Sequence, residues 1–325
     1  MNRAKGQKKR VVAIGGGTGL STILRGLKKA DIDLTAIVTV ADDGGSSGIL
    51  REEMKMPPPG DIRNVLVALA EREPLLQQIF QHRFKNGNHL AGHSLGNLII
   101  AAMQEITGDF VTAVKTLSRV FAVRGTVLPA ANQSIRLRAE MADGTVVIGE
   151  SKIPKAKKKI ARLSLIPEDI EALPEAVEAV EQADLIVIGP GSLYTSVLPN
   201  LLVPGIQEGI KNSQAQVIYI CNVMTQPGET DGYTVEDHIS AIYEHIGQPI
   251  FHKVVVNVGH IPPAVLKKYE QEQAYPVVYQ PGSLDAFNIE VIEDCLFMVN
   301  DYLRHDAQKV TEIVLRCLHG SSRKR

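Results

Sequence analysis

Tryptophan is absent from the sequence and cysteine is scarce, with only Cys221, Cys295 and Cys317 present. Their odd number, wide separation and lack of a C-x-x-C pair argue against a disulfide framework and against a cysteine-based zinc site. This cysteine usage is typical of a reducing compartment, so we expect a cytoplasmic protein.

The sequence also lacks long apolar runs. No window approaches the roughly 18 consecutive apolar residues that a membrane-spanning helix needs. The basic N-terminus, MNRAKGQKKR, continues into a strand-like VVAI rather than into the apolar core of a signal peptide. We therefore expect neither export nor a membrane span.

The sequence has no excess of positive or negative charge. Its 35 basic side chains are balanced by 36 acidic ones, and the formal net charge is -1. No overall field would attract nucleic acid or an anionic membrane. The basic stretch PKAKKKIAR has no aromatic residues around it for stacking on bases, so we interpret it as a solvated loop. We expect no nucleic-acid partner, and selectivity that comes from a local site.

Apolar content is ample, since 44% of the 325 residues are hydrophobic and can form a sizeable core. Short apolar runs that end in glycine or polar loops predict strands at residues 11–14, 34–40, 185–188, 217–221 and 254–256. Segments with helical spacing separate most of these runs, as in βαβ units. The pattern predicts a doubly wound, mainly parallel Rossmann-like α/β sheet.

Two stretches interrupt the parallel pattern. Residues 61–116 show mostly helical spacing and are predicted to form a helical insertion. Residues 133–150 alternate in polarity around Asp143 and Gly144, which predicts a β-hairpin. We find no internal repeats, so we interpret residues 1–325 as a single α/β domain that carries both additions.

A glycine-rich loop, GGGTGLS, follows the first predicted strand. The backbone N–H groups of such a loop, together with the positive end of the next helix, bind phosphate groups. The loop does not match G-x-G-x-x-G, because Leu20 occupies the third glycine position, and it lacks the G-K-[ST] of a Walker loop. We predict an anion site formed by Gly15, Gly16, Gly17, Thr18 and Gly19.

Three aspartates follow close behind. Asp42 and Asp43 come after the second predicted strand, and Asp61 follows a rigid PPPG. A single acid at the strand end would bind the ribose of NAD, whereas several acids suit a divalent cation that bridges phosphate oxygens. The alternative is that the first two cap a turn and that Asp61 caps a helix. Taken together, the three acids favour a functional role.

The segment GHSLGNLIIAAM places His93, Ser94 and Asn97 at the start of a predicted apolar helix. The first amides of this helix suit a second anion, and His93 or Asn97 suits a hydroxyl group or a ring of a ligand. A core helix with Ser94 at its N-cap explains the same pattern. Both interpretations stay open.

A second glycine turn, IGPGSLYTSVLP, follows a later predicted strand. Free amides and hydroxyls in such a turn suit a diphosphate or a sugar. The turn lacks a G-x-S-x-G elbow, and no order of serine, histidine and acid matches a catalytic triad. The predicted ligand contacts here are Gly189, Gly191, Ser192 and Tyr194.

Five motifs in this order, GGGTGLS, VADDGGSSG, PPPGDIRN, GHSLGNL and IGPGSLYTSVLP, resemble the YvcK branch of the CofD-like superfamily. This branch comprises bacterial gluconeogenesis factors that are related to 2-phospho-L-lactate transferase. The resemblance extends from Val11 to about Leu318. It implies a Rossmann-like CofD fold, a cytoplasmic role in cell shape and in growth on gluconeogenic carbon sources, and binding of UDP-sugars such as UDP-N-acetylglucosamine.

The resemblance also implies roles for individual residues. The magnesium-binding acids of the transferase branch match Asp43 and Asp61 here, and Tyr269 and Arg304 are implied as contacts to the uridine, sugar or diphosphate. The transferase branch has GGTGG at its first loop, where this chain has leucine after the last glycine. The resemblance therefore gives least support to a deazaflavin acceptor site and to catalysis.

Three functions are open from the sequence. We favour a regulatory binding protein whose partners are a nucleotide-sugar ligand and a regulatory protein, and self-association into a homo-oligomer is left open. The alternative is a magnesium-dependent transferase that acts on a nucleoside-diphosphate ester, like 2-phospho-L-lactate transferase. An NAD-binding oxidoreductase comes third, since only the strand, glycine loop and helix at the start of the chain support it.

Overall fold

The computed structural model describes residues 8–299 and 302–320 of the chain. Its strands, in chain order, are β1 (Lys9–Gly15), β2 (Ile32–Val38), β3 (Thr126–Pro129), β4 (Arg136–Met141), β5 (Val146–Ile148), β6 (Ile160–Ile166), β7 (Leu185–Ile188), β8 (Gln216–Ile220), β9 (Lys253–Asn257), β10 (Glu290–Asp294), β11 (Phe297–Val299) and β12 (Leu303–His305).

The helices connect these strands. In chain order they are α1 (Gly17–Leu27), α2 (Gly45–Met54), α3 (Gly60–Leu69), α4 (Glu73–Gln81), α5 (Leu95–Thr107), α6 (Phe110–Val120), α7 (Pro174–Glu181), α8 (Leu198–Leu201), α9 (Pro204–Asn212), α10 (Val235–Ile246), α11 (Pro263–Gln271) and α12 (Ala307–Gly320). A π-helical turn at Leu193–Val197 leads into α8. Within the described ranges, no helix is both long and apolar enough to span a bilayer.

Seven strands form one parallel sheet in the spatial order β3, β2, β1, β7, β8, β9, β10. The chain builds the sheet outward from β1 to β3, then returns to the middle and builds outward again from β7 to β10. The reversal between β1 and β7 is a topological switch point, beside which doubly wound sheets bind their ligands. The predicted doubly wound, mainly parallel α/β fold is confirmed.

The central strands are buried on both faces of the sheet. Val11, Val12, Ala13 and Ile14 of β1 are each at most 2% exposed, although successive side chains of a strand point to opposite faces. A strand that is covered on both sides has a continuous apolar run rather than an alternating one. This is why the sequence pattern locates the central strands well.

The sequence pattern does not predict the two edge strands, β3 and β10. β3 has only four residues. β10 has the sequence EVIED, and none of its five side chains is fully buried. An edge strand pairs on one side only and has less apolar surface to cover, so it lacks the apolar run that marks a central strand.

The two additions lie on the way from β2 to β7. Helices α3 to α6 occupy most of residues 61–116, within the connection from β2 to β3. β4 and β5 pair antiparallel within residues 133–150, and β6 pairs with the other side of β4. The turn after this hairpin returns to the main sheet, where Ser151 N–H donates to Asp43 Oδ1 at 2.8 Å.

Replacing Gly26 tests the packing of α1 on α12. A Cβ at this position would lie 2.2 Å from Thr311 Oγ1 and 2.4 Å from the Ala307 carbonyl oxygen. We expect Gly26→Ala to lower the free energy of unfolding by about 1–3 kcal/mol, as overpacking of a core does. Urea denaturation measures this change.

Gly209→Ala is the matched control, because a Cβ there would meet its nearest neighbour at 3.4 Å. Alanine is also a better helix former than glycine, so this variant should be neutral or slightly stabilising. Equal losses of stability in the two variants would contradict close packing at Gly26.

Candidate functional site

Two glycine turns meet at the switch point, one after β1 and one after β7. A Cβ at Gly19 would lie 2.5 Å from the Pro190 carbonyl oxygen, and one at Gly191 would lie 3.6 Å from the Gly16 carbonyl oxygen. These distances mean that backbone contacts backbone where the turns meet. The structure therefore brings together the two glycine-rich motifs that the sequence singled out separately.

The first turn leads directly into α1. Gly16 is the N-cap of this helix and supplies no side-chain cap, and Gly17 begins the helix with a φ of +60°. A Cβ at Gly16 would lie only 2.5 Å from Asp61 Oδ2. A backbone hydrogen bond from Gly17 reaches the Asp61 carboxylate, whereas the following amides have no partner four residues earlier in the helix. The start of α1 therefore presents backbone donors that the helix itself does not use, and Asp61 already binds one of them.

A cleft of about 350 Å³ opens beside these turns. Its walls come from the loops after β1, β7 and β8, from α11 and from the hairpin β11–β12. Seven of the predicted ligand contacts line it: Gly16, Thr18, Gly19, Gly191, Ser192, Tyr269 and Arg304. Residues from distant parts of the chain thus converge on one cleft.

Hydrogen bonds fix the far wall of the cleft. Tyr269 Oη accepts a hydrogen bond from Leu303 N–H at 2.9 Å, which ties α11 to the hairpin. His305 Nε2 lies 3.3 Å from the Cys221 carbonyl oxygen, and burial lowers the pKa of His305 to about 4. A neutral imidazole at physiological pH then donates to this carbonyl. Arg304 stands between these two anchors with an exposed side chain.

Other predicted glycines shape the cleft without lining it. The Gly15 carbonyl oxygen accepts hydrogen bonds from Thr39 N–H at 3.1 Å and from Asn200 Nδ2 at 3.0 Å. Gly189 has a φ of +76°, and a Cβ there would lie 2.9 Å from the Ile220 carbonyl oxygen. The first turn is therefore held by hydrogen bonds from the residue after β2 and from α8, and the second turn packs closely against the end of β8.

The three predicted aspartates lie in pockets that glycines leave open. A Cβ at Gly60 would lie 2.1 Å from Asp42 Oδ2, and one at Gly149 would lie 2.3 Å from Asp43 Oδ2. Asp61 lies in the first turn of α3 and approaches the start of α1 instead. None of the three aspartates therefore lines the cleft, and Asp61 lies against the first glycine turn.

Burial and mutual repulsion change the acidity of this cluster. Burial, followed by the charge of Asp42, raises the pKa of Asp61 to about 7, although the hydrogen bond from Gly17 opposes the shift. Burial, followed by the charges of the three aspartates and of Glu229, raises the pKa of Glu150 to about 9. A proton or a cation would relieve this concentration of negative charge.

A metal ion is one way to relieve it. Within residues 8–299 and 302–320, no three His, Cys, Asp or Glu side chains form a ready metal-binding group. Magnesium takes oxygen ligands and often binds through one or two carboxylates together with the phosphates of a ligand. The carboxylates of Asp43 and Asp61 fit that second arrangement in chemistry, and a magnesium ion on them stays a prediction.

Helix α5 begins beside the aspartates. Ser94 is its N-cap and accepts a hydrogen bond from Asn97 N–H at 3.3 Å. Arg63 Nη1 donates to Ser94 Oγ at 2.6 Å and to Asn97 Oδ1 at 3.0 Å. His93 Nδ1 lies 3.1 Å from Ser46 Oγ. These contacts occupy His93, Ser94 and Asn97 inside a buried polar cluster, and the structure does not bring them to the cleft wall.

The turn after β7 carries a hydroxyl that a buried carboxylate holds. The Ser192 hydroxyl donates to Glu229 Oε2. Thr195 donates to Ser192 Oγ twice, through its N–H at 3.2 Å and through its hydroxyl at 2.6 Å. The predicted neighbour Tyr194 lies in the core instead, 1% exposed, with its Oη 2.8 Å from Tyr233 Oη.

Sequence reasoning misses four polar residues of this region: Arg63, Glu150, Asn222 and Glu229. Asn222 fixes the second glycine turn, because its Nδ2 donates to the Gly191 carbonyl oxygen at 2.8 Å and its Oδ1 accepts from Gly191 N–H at 3.2 Å. Asn222 directly follows a predicted strand, and this position at the carboxyl edge of the sheet could have identified it from the sequence. Glu150 follows the hairpin and has no such signal.

Comparison with known proteins extends these observations. The sequence profile of the family described as 2-phospho-L-lactate transferase CofD matches residues 11–297. The Gluconeogenesis factor of Halalkalibacterium halodurans is 59% identical over 310 residues, which are 95% of this chain and 96% of that protein. The Gluconeogenesis factor of Bacillus subtilis is 56% identical over 314 residues, which are 96% of this chain and 99% of that protein.

A solved structure shares the fold over the same extent. The X-ray crystal structure of protein BH3568 from Bacillus halodurans superposes with a TM-score of 0.93 at 59% identity. The superposition covers 95% of this chain and 100% of that chain. The likeness to known proteins therefore extends over nearly the whole molecule.

Neutralising Glu150 tests the repulsion within the acidic cluster. The raised pKa of Glu150 means that the folded chain resists its ionisation, so its contribution to stability is lost as the pH rises from the ordinary value of 4.5 towards about 9. We expect Glu150→Gln to raise the Tm of the ligand-free protein, and to raise it more at pH ~8 than at pH ~5. Calorimetry without added metal measures the difference.

The same substitution at the exposed Glu140 of β4 is the control, and it should leave the Tm nearly unchanged at both pH values. A gain from Glu150→Gln that is equal at the two pH values would show that the charge of Glu150 does not strain the fold.

Proposed function

The chain belongs to the CofD family, and from that membership we propose that it is a regulatory protein that binds a UDP-sugar, UDP-N-acetylglucosamine. The proposal includes a cytoplasmic role in cell shape and in growth on gluconeogenic carbon sources. The name of the relatives from Halalkalibacterium halodurans and Bacillus subtilis, Gluconeogenesis factor, supports the metabolic part. Occupancy of the cleft would report the supply of the sugar nucleotide to a partner protein.

The convergence of three strand-end loops on one cleft carries the proposal. The cleft of about 350 Å³ lies beside the switch point, within the size range of sites for small ligands. Thr18 and Gly19 lie in the first turn of α1, where backbone N–H groups and the helix dipole favour a phosphate. The diphosphate of the ligand would bind there, against the second glycine turn.

The far wall suits the remainder of the ligand. Arg304 presents a planar guanidinium that can bind a phosphate through two hydrogen bonds. Tyr269 offers an aromatic ring to a base or a sugar, and its bond to Leu303 N–H holds that ring in place. A magnesium ion on Asp43 and Asp61, if bound, would neutralise charge between the carboxylates and the diphosphate.

Calorimetric titration with UDP-N-acetylglucosamine tests the proposal. Arg304→Ala should weaken binding roughly 10-fold to 100-fold, because it removes charged hydrogen bonds to phosphate. Tyr269→Ala should also weaken binding, because it removes the ring. Tyr269→Phe keeps the ring and loses only its hydrogen bond to the hairpin, so it should weaken binding less than Tyr269→Ala.

Lys268→Ala is the control, since Lys268 is an exposed neighbour of Tyr269 on α11 and does not line the cleft. It should bind the ligand like the unchanged protein. Absence of binding to the unchanged protein, with and without magnesium, would refute the proposed ligand.

A second candidate function is a magnesium-dependent transferase that acts on a nucleoside-diphosphate ester. The carboxylates of Asp43 and Asp61 favour it, because they could hold a cation beside the ester phosphates. The protein would then act by positioning the donor and by neutralising charge, without a nucleophile of its own.

Incubation of labelled donors with magnesium and a panel of acceptors separates the two functions. A binding protein returns the donor unchanged. Turnover that Asp43→Asn abolishes would establish the transferase instead, and turnover that survives this substitution would point to a contaminating enzyme.

A further inference from the structure

Ser192 lines the cleft with a hydroxyl whose hydrogen bonds are all in use. A serine hydroxyl has one donor and two acceptor sites. Its hydrogen is donated to Glu229 Oε2, and both acceptor sites are filled by Thr195, through N–H at 3.2 Å and through the hydroxyl at 2.6 Å. The oxygens of a diphosphate diester accept hydrogen bonds and donate none. In this state Ser192 has no hydrogen to offer such a ligand.

The Glu229 carboxylate is buried without a cation beside it. Its side chain is 7% exposed, and across the described ranges no lysine or arginine forms a salt bridge with it. The titratable groups that face it are Asp231 of its own loop, Glu150 of the turn after the hairpin and Tyr194. Burial raises the pKa of Glu229, although hydrogen bonds to its oxygens oppose the shift.

We propose that Glu229 is a proton-linked positioning residue, which takes up one proton from solvent when a phosphate of the ligand contacts Ser192. The inference rests on the proposed function, since it needs an anionic ligand in the cleft. The protonated carboxyl donates to Ser192 Oγ, and the Ser192 hydrogen turns to the phosphate oxygen. The Thr195 hydroxyl turns from Ser192 to Glu229 Oε1, which lies 3.4 Å away.

The sign of the pH dependence follows from this exchange. The bound state holds one more proton than the free state, so ligand and proton favour each other's binding. Affinity should fall as the pH rises through the range in which Glu229 ionises, by at most about tenfold per pH unit for a single proton. Binding also becomes weaker at high pH because the ionised carboxylate repels the diphosphate.

Calorimetry counts the protons directly. UDP-N-acetylglucosamine is titrated into the full chain at several pH values, each in buffers of different ionisation enthalpy and without metal. The unchanged protein should take up close to one proton at the pH where its affinity falls most steeply. Glu229→Gln mimics the neutral carboxyl, so it should take up close to one proton fewer than the unchanged protein, and its affinity should fall less steeply as the pH rises.

Two further variants separate proton linkage from a structural effect. Ser192→Ala keeps Glu229 but removes the hydroxyl that couples it to the ligand, so most of the uptake that depends on Glu229 should be lost there too. Glu236→Gln makes the same change at an exposed position of α10 and should keep the full uptake. Equal uptake in the unchanged protein and in Glu229→Gln would overturn the inference.

A second probe separates this inference from the proposed ligand. If UDP-N-acetylglucosamine does not bind, the proposed function fails, and inorganic pyrophosphate becomes the probe of the Ser192 contact. Because pyrophosphate itself titrates, its proton number is read as the difference between the unchanged protein and Glu229→Gln. A greater proton uptake by the unchanged protein than by Glu229→Gln, of at most one proton, would support the inference. Equal uptake, or no binding of pyrophosphate, would overturn it.

Discussion

Backbone contact between two glycine turns is the constraint on which the site depends. The Gly19 backbone packs against the carbonyl group of Pro190, and Asn222 in the loop after β8 holds Gly191. Because β1 and β7 are paired neighbours in the sheet at the switch point, the loops that follow them begin side by side and meet. The fold therefore sets the positions of the first amides of α1 before a ligand arrives, which lowers the entropic cost of binding.

The electrostatics around the proposed phosphate site are unusual for anion binding. A carboxylate, Asp61, already accepts a hydrogen bond at the start of α1, and burial together with Asp42 raises its pKa to about 7. The positive partner on the opposite side is the exposed Arg304. The ligand-free molecule thus keeps acidic groups close to the proposed phosphate site. Protons or a cation that reduce this repulsion would strengthen binding, and the affinity for ligand would then depend on conditions in the cell.

The sequence predicts the central sheet and the loops at its edge, because buried parallel strands have apolar runs and the glycine turns interrupt them. It also predicts that the turns at Gly19 and Gly191 contact a ligand. It could not pair Arg63 with Ser94 or Ser192 with Glu229, which lie 31 and 37 positions apart. These pairs depend on how α3, α5 and the loops pack in three dimensions. Tyr194 shows the opposite problem. It lies among polar residues in the sequence, yet its side chain is buried in the core and its hydroxyl is hydrogen-bonded to Tyr233.

A crystal structure of the full chain with UDP-N-acetylglucosamine is the most direct test of the central claim. We expect the diphosphate oxygens within hydrogen-bond distance of the Thr18 and Gly19 amides, with the second glycine turn beside them and Arg304 on the opposite side. A ligand whose phosphates bind away from both glycine turns, for example among the basic and hydroxyl groups around Arg63, would contradict the account.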